Sequence, residues 1–176
     1  MRITGGTLVG QRVKVPPGEI RPAMDRMRES LFSILGPLDG TSFLDLFAGS
    51  GIMALEAISR GAWPVTLVEK DQKKRATILA NLEIAPSAPR LVIAPVEVFV
   101  KRERSSFDLI YLDPPFPYRY KADLLLRIAR SRLIREGTKM LIHYPTQEAL
   151  PDSVESFSVR DERNYGGSQT RLYESV

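Results

Sequence analysis

The stretch Ser42–Gly51, with the sequence SFLDLFAGSG, constrains the fold of this chain more than any other. Its first part is an apolar run of strand length, and Gly49 and Gly51 close that run. Residues 52–58 follow and are rich in good helix formers. A buried strand, a tight glycine turn and a helix start together present backbone N–H groups to a ligand. Glycine suits such a turn because positive φ costs it little and because a Cβ would hold the ligand away.

Two acidic residues add to this pattern. Asp45 interrupts the apolar run, and Glu69 ends the next apolar run along the chain. An acidic side chain at the end of the second strand of such a fold is where a ribose is held through its hydroxyls. The pattern therefore predicts a site for a nucleotide-like ligand. A strand-to-helix turn that binds no ligand is the alternative interpretation.

Strand-like and helix-like runs alternate from residue 43 onwards. We expect strands near 43–47, 65–68, 91–93, 107–112 and 140–142, with helices near 52–60, 72–82, 97–101 and 124–133. This alternation predicts a parallel sheet with helices on both faces. The tail differs, because strand-like runs at 157–163 and 170–174 are joined by a loop without a helix. Those two runs should pair as an antiparallel hairpin.

The N-terminal part of the chain is basic. The formal net charge is +4, and residues 1–30 contain six basic and three acidic side chains. This excess suggests contact with a polyanion, with an ordinary solvated basic surface as the alternative. Within this part, Val13 and Val15 alternate with basic residues as in a half-exposed strand. Apolar residues at helical spacing predict an amphipathic helix at about 23–35.

Composition narrows the class of protein. The 43% hydrophobic and 26% charged content is typical of a globular protein, and no apolar run approaches the roughly 20 residues of a membrane span. Because the chain has no cysteine, a disulfide framework, a thiolate zinc site and an iron–sulfur cluster are excluded, and we expect no metal site. The N-terminus lacks an apolar signal segment, so the expected location is the cytoplasm.

A second motif, Asp113-Pro114-Pro115-Phe116, follows the strand expected at 107–112. Two prolines stiffen the chain and favour an extended conformation at Asp113. A carboxylate beside a free proline carbonyl can accept both hydrogens of a planar –NH₂ group, and Phe116 offers a flat face for a base. The motif therefore indicates chemistry on an aromatic amine, although prolines in a loop usually mark only a turn. The single histidine, His143, follows a core strand and is expected to be structural.

Together, LDLFAGSG, Glu69 and DPPF resemble the S-adenosylmethionine-dependent methyltransferases that modify exocyclic amines of bases. Further stretches are similar to the bacterial 16S ribosomal RNA guanine-N2 methyltransferases of the RsmD type, and they span nearly the whole chain. They are Arg2–Gly6, Arg21-Pro22, Asp25-Arg26, Arg28-Glu29, Leu55–Ala57, Ser59–Ala62 and Tyr165-Gly166.

This resemblance implies a Rossmann-like class I methyltransferase, an α/β fold with a doubly wound, mostly parallel seven-stranded sheet that ends in an antiparallel hairpin. The methyl donor would be S-adenosyl-L-methionine, and the acceptor a guanine in 16S ribosomal RNA. We expect a monomer with one domain over residues 1–176, divided into a basic arm and helix at 1–36 and a catalytic core at 42–176. Because the chain is short, we expect an assembled small-subunit particle to present the base.

The residue patterns and the resemblance together lead us to expect three groups of site residues. Catalysis is expected from the second motif, Asp113, Pro114, Pro115 and Phe116. Cofactor contacts are expected from Asp45, Phe47, Gly49, Gly51, Glu69, Lys70 and Val96, with Glu69 on the ribose. Contacts with the RNA are expected from Arg2, Arg12, Arg21, Arg26 and Tyr120.

The sequence departs from the family pattern at two positions. The acidic residue that usually follows the third strand is replaced in the run Ala94-Pro95-Val96-Glu97, so we expect a backbone contact from Val96 to serve the adenine. The usual threonine after Arg21-Pro22 is Ala23.

Three other functions remain open at this stage. An adenine-N6 methyltransferase on DNA or RNA needs the same amine chemistry. An NAD(P)-dependent oxidoreductase would use the glycine turn, since residues 49–54 satisfy G-x-G-x-x-A. A non-catalytic RNA-binding module would explain the basic arm but not the glycine turn.

Overall fold

The computed structural model describes residues 1–15 and 24–175. The helices in these ranges are α1 (Met24–Leu35), α2 (Ile52–Ser59), α3 (Arg75–Leu82), α4 (Val96–Arg102) and α5 (Lys121–Ala129), with a 3₁₀ turn at Gln72–Lys74. The strands are β1 (Phe43–Asp45), β2 (Val65–Glu69), β3 (Arg90–Ile93), β4 (Leu109–Leu112), β5 (Lys139–Pro145), β6 (Ser153–Val154), β7 (Phe157–Asn164) and β8 (Ser168–Ser175).

These strands form one sheet in the order β3-β2-β1-β4-β5-β8-β7-β6. The pairs from β3 to β5 are parallel, whereas β8 lies antiparallel to both β5 and β7. The expected doubly wound sheet with an antiparallel hairpin is therefore confirmed. Within the described ranges the sheet has eight strands rather than the expected seven, because β6, only two residues long, pairs with β7 at the edge.

Side chains of the central strands alternate between two apolar layers, as the period of a strand requires. Phe43 of β1 packs in the layer that contains α1, α2 and α3, whereas Leu44 packs in the layer that contains α4 and α5. All residues of β1, β2 and β4 are buried. Burial on both faces explains why these strands read as apolar runs rather than as alternating sequences.

Helix α1 is described from Met24 onwards, in agreement with the expected helix up to Leu35. It ends where Gly36 adopts φ +70, and the Gly36 N–H donates to the Phe32 carbonyl at 3.2 Å. The predicted start of this helix lies outside the described residues, as do Arg21, Pro22 and Ala23.

Residues 1–15, which we call the N-terminal segment, fold onto α2. The expected strand around Val13 is reduced to an isolated antiparallel bridge between Arg2 and Arg12. Backbone bonds to α2 replace strand pairing, since the Thr7 N–H donates to the Ser59 carbonyl at 2.7 Å. At Gly6 an added Cβ would lie 1.8 Å from the same oxygen, so only glycine allows this approach.

A buried carboxylate, Glu56, holds this arrangement together. Its side chain is 0% exposed, and so is that of Arg28, which donates to Glu56 Oε1 at 3.2 Å. The Thr4 N–H donates to the same oxygen at 2.8 Å, and Arg60 pairs with Oε2. Arg28 also donates to the Arg2 carbonyl at 2.8 Å. One carboxylate therefore joins α1, α2 and the N-terminal segment, and Arg28 is not available to an outside polyanion.

Within the two described ranges, no helix combines the length and the apolarity needed to cross a membrane.

The substitution Glu56→Gln should destabilise the fold strongly, because it removes the buried one of the two carboxylates that pair with Arg28; the other, Asp25, lies 2.6 Å from Arg28 but is 57% exposed. We expect the free energy of unfolding to fall by about 3–5 kcal/mol, the usual cost of breaking a buried ion pair on one side. Urea denaturation at neutral pH measures it. The matched control is Asp123→Asn, which breaks the exposed pair with Arg127 and should cost less than about 1 kcal/mol. Equal losses in the two variants would contradict a structural role for Glu56.

Candidate active site

The carboxyl ends of β1, β2, β3 and β4 meet around a cavity of about 430 Å³, which we call the active-site cavity. This is where a doubly wound sheet binds ligands, because strand order reverses between β1 and β4. The volume lies within the range of small-molecule sites. The lining residues are Leu46, Phe47, Gly49, Glu69, Lys70, Lys74, Ala94, Val96, Glu97, Asp113, Pro114, Pro115 and Tyr118.

The glycine turn forms one wall of this cavity. Gly49 adopts φ +57 and Gly51 φ +81, the left-handed region that favours glycine, and Gly51 is the residue before α2. Gly49 lines the cavity, whereas Gly51 does not. The turn therefore places backbone rather than side chain at the cavity, as the sequence predicted.

Glu69 joins the turn to the end of β2. Its Oε2 accepts a hydrogen bond from the Gly49 N–H at 2.9 Å, and its Oε1 accepts one from the Asp71 N–H at 2.9 Å. The residue is 6% exposed and lines the cavity. Since each carboxylate oxygen has more than one lone pair, Glu69 can hold the turn and still accept from ligand hydroxyls.

Asp45 occupies a different position from the one its sequence context indicated. It is 1% exposed and does not line the cavity. Its Oδ1 accepts from the Phe47 N–H at 3.3 Å, and Oδ2 has no hydrogen-bond partner among the described residues. Burial raises the pKa of Asp45 to about 8, because the charged form is poorly solvated there. Asp45 is therefore mainly protonated at neutral pH in this structure.

The second motif lies opposite the glycine turn. Asp113, Pro114 and Pro115 follow β4 and line the cavity, whereas Phe116 lies outside its lining. Asp113 Oδ1 is 2.8 Å from His143 Nδ1. The parallel register pairs Leu112 with Ile142, so the next residue on each strand, Asp113 and His143, stand side by side.

His143 is a site residue that the sequence interpretation missed. It lies within β5 rather than after a strand, is 2% exposed, and has its ring centroid 5.9 Å from that of Phe116. Its Nε2 is buried and has no hydrogen-bond partner among the described residues. Nothing in the sequence indicates the β4–β5 register, so the contact with Asp113 could not be inferred.

Aromatic rings extend from the cavity to the surface. The centroids of Phe47 and Tyr118, which both line the cavity, lie 5.7 Å apart, and those of Tyr118 and Tyr120 lie 5.9 Å apart. Tyr120 is 66% exposed. An exposed aromatic next to a cavity offers a stacking face for a base.

Lys121 is a second residue whose role was not apparent from the sequence. It is 1% exposed, and its Nζ donates to the Phe116 carbonyl at 3.0 Å and to the Tyr118 carbonyl at 2.6 Å. A third bond goes to Glu148 Oε1 at 2.8 Å. This buried ammonium fixes the loop that follows the second motif.

The loop after β3 and the first turn of α4 form the remaining wall. Val96 lines the cavity, while Pro95 is exposed. Glu97 also lines the cavity, and its Oε1 accepts from the Tyr118 hydroxyl at 2.7 Å. An acidic side chain is therefore present at this wall, two residues beyond Pro95.

Of the basic residues expected to contact RNA, the three that the structure describes do not line the cavity. Arg2 and Arg12 are exposed on the N-terminal segment, and Arg26 is exposed on α1. None of these three lines the cavity, whereas Lys70 and Lys74 do. Over residues 1–15 and 24–175, no cluster of three or more histidine and acidic side chains is suited to hold a metal ion.

Comparison with known proteins adds to this geometry. Residues 1–174 match the model of a family described as "Conserved hypothetical protein 95". Ribosomal RNA small subunit methyltransferase D of Escherichia coli is 30% identical over 99% of this chain and 89% of that protein. The enzyme of the same name from Haemophilus influenzae is 30% identical over 99% of this chain and 94% of that protein. The solved structure of Escherichia coli YhhF has a TM-score of 0.89 at 27% identity, covering 99% of this chain and 97% of that one.

The raised pKa of Asp45 makes stability depend on pH. Between about 4 and about 8 the folded protein holds a proton on Asp45 that the unfolded chain has lost, so stability should fall as pH rises. Relative to the Asp45→Asn variant, we expect wild type to lose about 1.4 kcal/mol per pH unit in this window. Urea denaturation without added ligand at pH 5, 6 and 7 measures the difference. If the free energies of unfolding of the two proteins change with pH in parallel, Asp45 is already ionised in the folded protein at pH 5–7.

Proposed function

Because this chain belongs to the family described as conserved hypothetical protein 95, the RsmD-type ribosomal RNA methyltransferases, we propose that it methylates the exocyclic N2 amine of a guanine in 16S ribosomal RNA. It is an S-adenosylmethionine-dependent RNA methyltransferase. The base, its position and the assembled small subunit as substrate are part of the proposal. One observation carries the amine chemistry: Asp113, which is hydrogen-bonded to His143, lines the same cavity as Glu69.

S-adenosyl-L-methionine fits the residues of the active-site cavity. Glu69 would hold the ribose hydroxyls, Gly49 leaves room for the methionine part, and Val96 and Glu97 lie at the wall expected to meet the adenine. Asp45 lies outside the lining and would support the methionine end only indirectly, because its Oδ1 accepts from the N–H of Phe47, which lines the cavity. Bound there, the cofactor supplies an electrophilic methyl group.

The amine of guanine is a poor nucleophile because its lone pair is delocalised into the ring. We assign Asp113 Oδ2 and the Pro114 carbonyl as acceptors of its two N–H bonds. Positive charge would grow on the nitrogen during methyl transfer, and the Asp113 carboxylate would stabilise that charge. The same carboxylate then takes the proton that the nitrogen releases. Phe116 would seat the base once it is flipped out of its stack.

His143 acts in this proposal as a positioning residue. With Asp113 ionised, the hydrogen bond at 2.8 Å requires the proton on His143 Nδ1. Nε2 is then the unprotonated ring nitrogen, so the group buried without a partner among the described residues is a lone pair and not an N–H. Because His143 occupies Asp113 Oδ1, Oδ2 is left for the amine. The histidine thereby gives the two carboxylate oxygens different roles.

The family assignment favours methyl transfer over an NAD(P)-dependent oxidoreductase or a non-catalytic RNA-binding module. Adenine-N6 methylation uses the same acceptors, so only the product identifies the base.

The Asp113→Ala substitution should abolish most turnover while leaving the cofactor site intact. We expect single-turnover methyl transfer from labelled S-adenosylmethionine to immature small subunits to slow by roughly 10²–10⁴. Affinity for S-adenosylhomocysteine, measured by calorimetry, should change little. Mass spectrometry of the digested RNA from the wild-type reaction should find N2-methylguanosine. N6-methyladenosine would identify the other base, and absence of any methylated nucleoside would reject the proposed function.

The positioning role of His143 is tested by two substitutions of similar size. Asparagine places its amide nitrogen near the position of Nδ1 and can still donate to Asp113, whereas glutamine cannot do so without moving. We expect His143→Gln to lower the transfer rate by roughly 10–100-fold, the effect of losing a hydrogen bond to a charged group, and His143→Asn to stay within a few-fold of wild type. Cofactor affinity should be the same in both. Equal loss of rate in the two variants would indicate packing rather than positioning.

A further inference from the structure

Five basic side chains line a second cavity, of about 410 Å³, between α4 and α5. We call it the basic groove; its basic residues are Lys101, Arg104, Arg127, Arg130 and Arg132, and its other lining residues are Glu97, Val100, Glu103 and Ser131. All five basic residues are exposed. We infer that the basic groove binds the phosphate backbone of the RNA substrate. The choice of RNA as the partner rests on the proposed function.

The two acidic residues of the groove do not cancel its charge. Glu97 accepts a hydrogen bond from Tyr118, and Glu103 is paired with Arg90, which lies outside the groove, at 2.6 Å. Partial burial opposes ionisation of Glu103, but bonds from the backbone N–H groups of Ser105 and Arg104 and from Arg90 outweigh it and lower its pKa to about 2. Glu103 therefore stays ionised, and the Arg90 guanidinium balances its charge. Glu97 adds one carboxylate against five basic side chains, so the groove stays positive.

Its cations are available to a phosphate. Lys101, Arg104 and Arg132 form no ion pair with any residue in 1–15 or 24–175. Arg127 pairs with Asp123 at 2.6 Å and Arg130 with Glu155 at 2.7 Å, and both pairs are exposed. Exposed pairs contribute little to stability, so a phosphodiester can replace these carboxylates at small cost.

The position of the groove links it to the reaction. Glu97 lines both the basic groove and the active-site cavity, so helix α4 extends from one to the other. Lys101 lies one helical turn after Glu97, about 6 Å along the axis. RNA whose target base reaches the cavity can therefore extend its backbone along α4.

The chemistry of the lining favours phosphates over bases. Val100 is the apolar residue of the lining, and no aromatic ring is among the described residues that form it. Without a stacking face the groove can position RNA but does not read its sequence. Lys101 and Arg127 lie in the last turns of α4 and α5, where the helix dipole favours basic side chains. Arg104, Arg130 and Arg132 lie beyond the helix ends, so the dipoles do not explain their presence.

The test compares two triple variants of equal charge. The groove variant is Lys101→Ala, Arg104→Ala and Arg132→Ala. The control variant is Arg75→Ala, Arg102→Ala and Arg160→Ala, three exposed residues that line neither cavity. Binding of a fluorescein-labelled, mixed-sequence single-stranded RNA is followed by anisotropy over a range of salt concentrations, with a second RNA of unrelated sequence as a check.

We expect the groove variant to bind on the order of tenfold more weakly, with the slope of log K against log salt smaller by about two, since each phosphate contact on single-stranded RNA contributes about 0.7. Both RNAs should show the same loss, and affinity for S-adenosylhomocysteine should be unchanged. A groove variant that binds like the control variant overturns the inference.

Methyl transfer by wild type to small-subunit RNA separates this inference from the proposed function. If wild type transfers methyl groups but the salt slope of the groove variant is unchanged, the inference about the groove is rejected and the proposed function is kept. A reduced slope without any transfer by wild type rejects the proposed function and supports the groove as an RNA-binding surface.

Discussion

Backbone pairing between parallel strands is the constraint on which the candidate site depends. β1 is only three residues long, yet it is bonded to β2 on one side and to β4 on the other, with Asp45 opposite Leu67 and Tyr111. β4 is in turn held in register with β5. Because parallel strands end at the same edge, the residues that follow them surround one cavity. The positions of Glu69, Asp113 and His143 are thus set mainly by main-chain hydrogen bonds.

Side-chain hydrogen bonds then fix the loops that leave this edge. Glu69 holds Gly49, and buried Lys121 holds the carbonyls of the loop after the second motif. Asn81 Nδ2 donates to the Ser50 carbonyl at 2.9 Å and to the Lys14 carbonyl at 2.8 Å, so the glycine turn and the N-terminal segment share one support. Buried polar groups with satisfied partners define loop geometry better than apolar packing does. A methyl-transfer site needs loops of fixed geometry, because small displacements of the reacting groups lower the rate.

Two basic surfaces of this chain lie on opposite faces of the sheet. The N-terminal segment carries exposed Arg2 and Arg12, and its backbone is tied to α2 through Glu56. The basic groove lies in the layer of α4 and α5, on the other face of the sheet from α1 and α2. Phosphate contacts of this kind position a nucleic acid, whereas the chemistry at the cavity selects the base.

The sequence by itself determined the features that depend on local pattern. The apolar runs, the glycines at positive φ, the acidic end of β2 and the D-P-P-F turn each depend on neighbouring residues, so the doubly wound fold, its terminal hairpin and most of the cavity lining could be predicted. Only the tertiary structure decided which distant residues meet. The contact of His143 with Asp113 depends on the β4–β5 register, the pKa of Asp45 depends on burial by both neighbouring strands, and the basic groove depends on how α4 packs beside α5. Strand register and helix packing arise from the whole core, so no local stretch of the sequence encodes them.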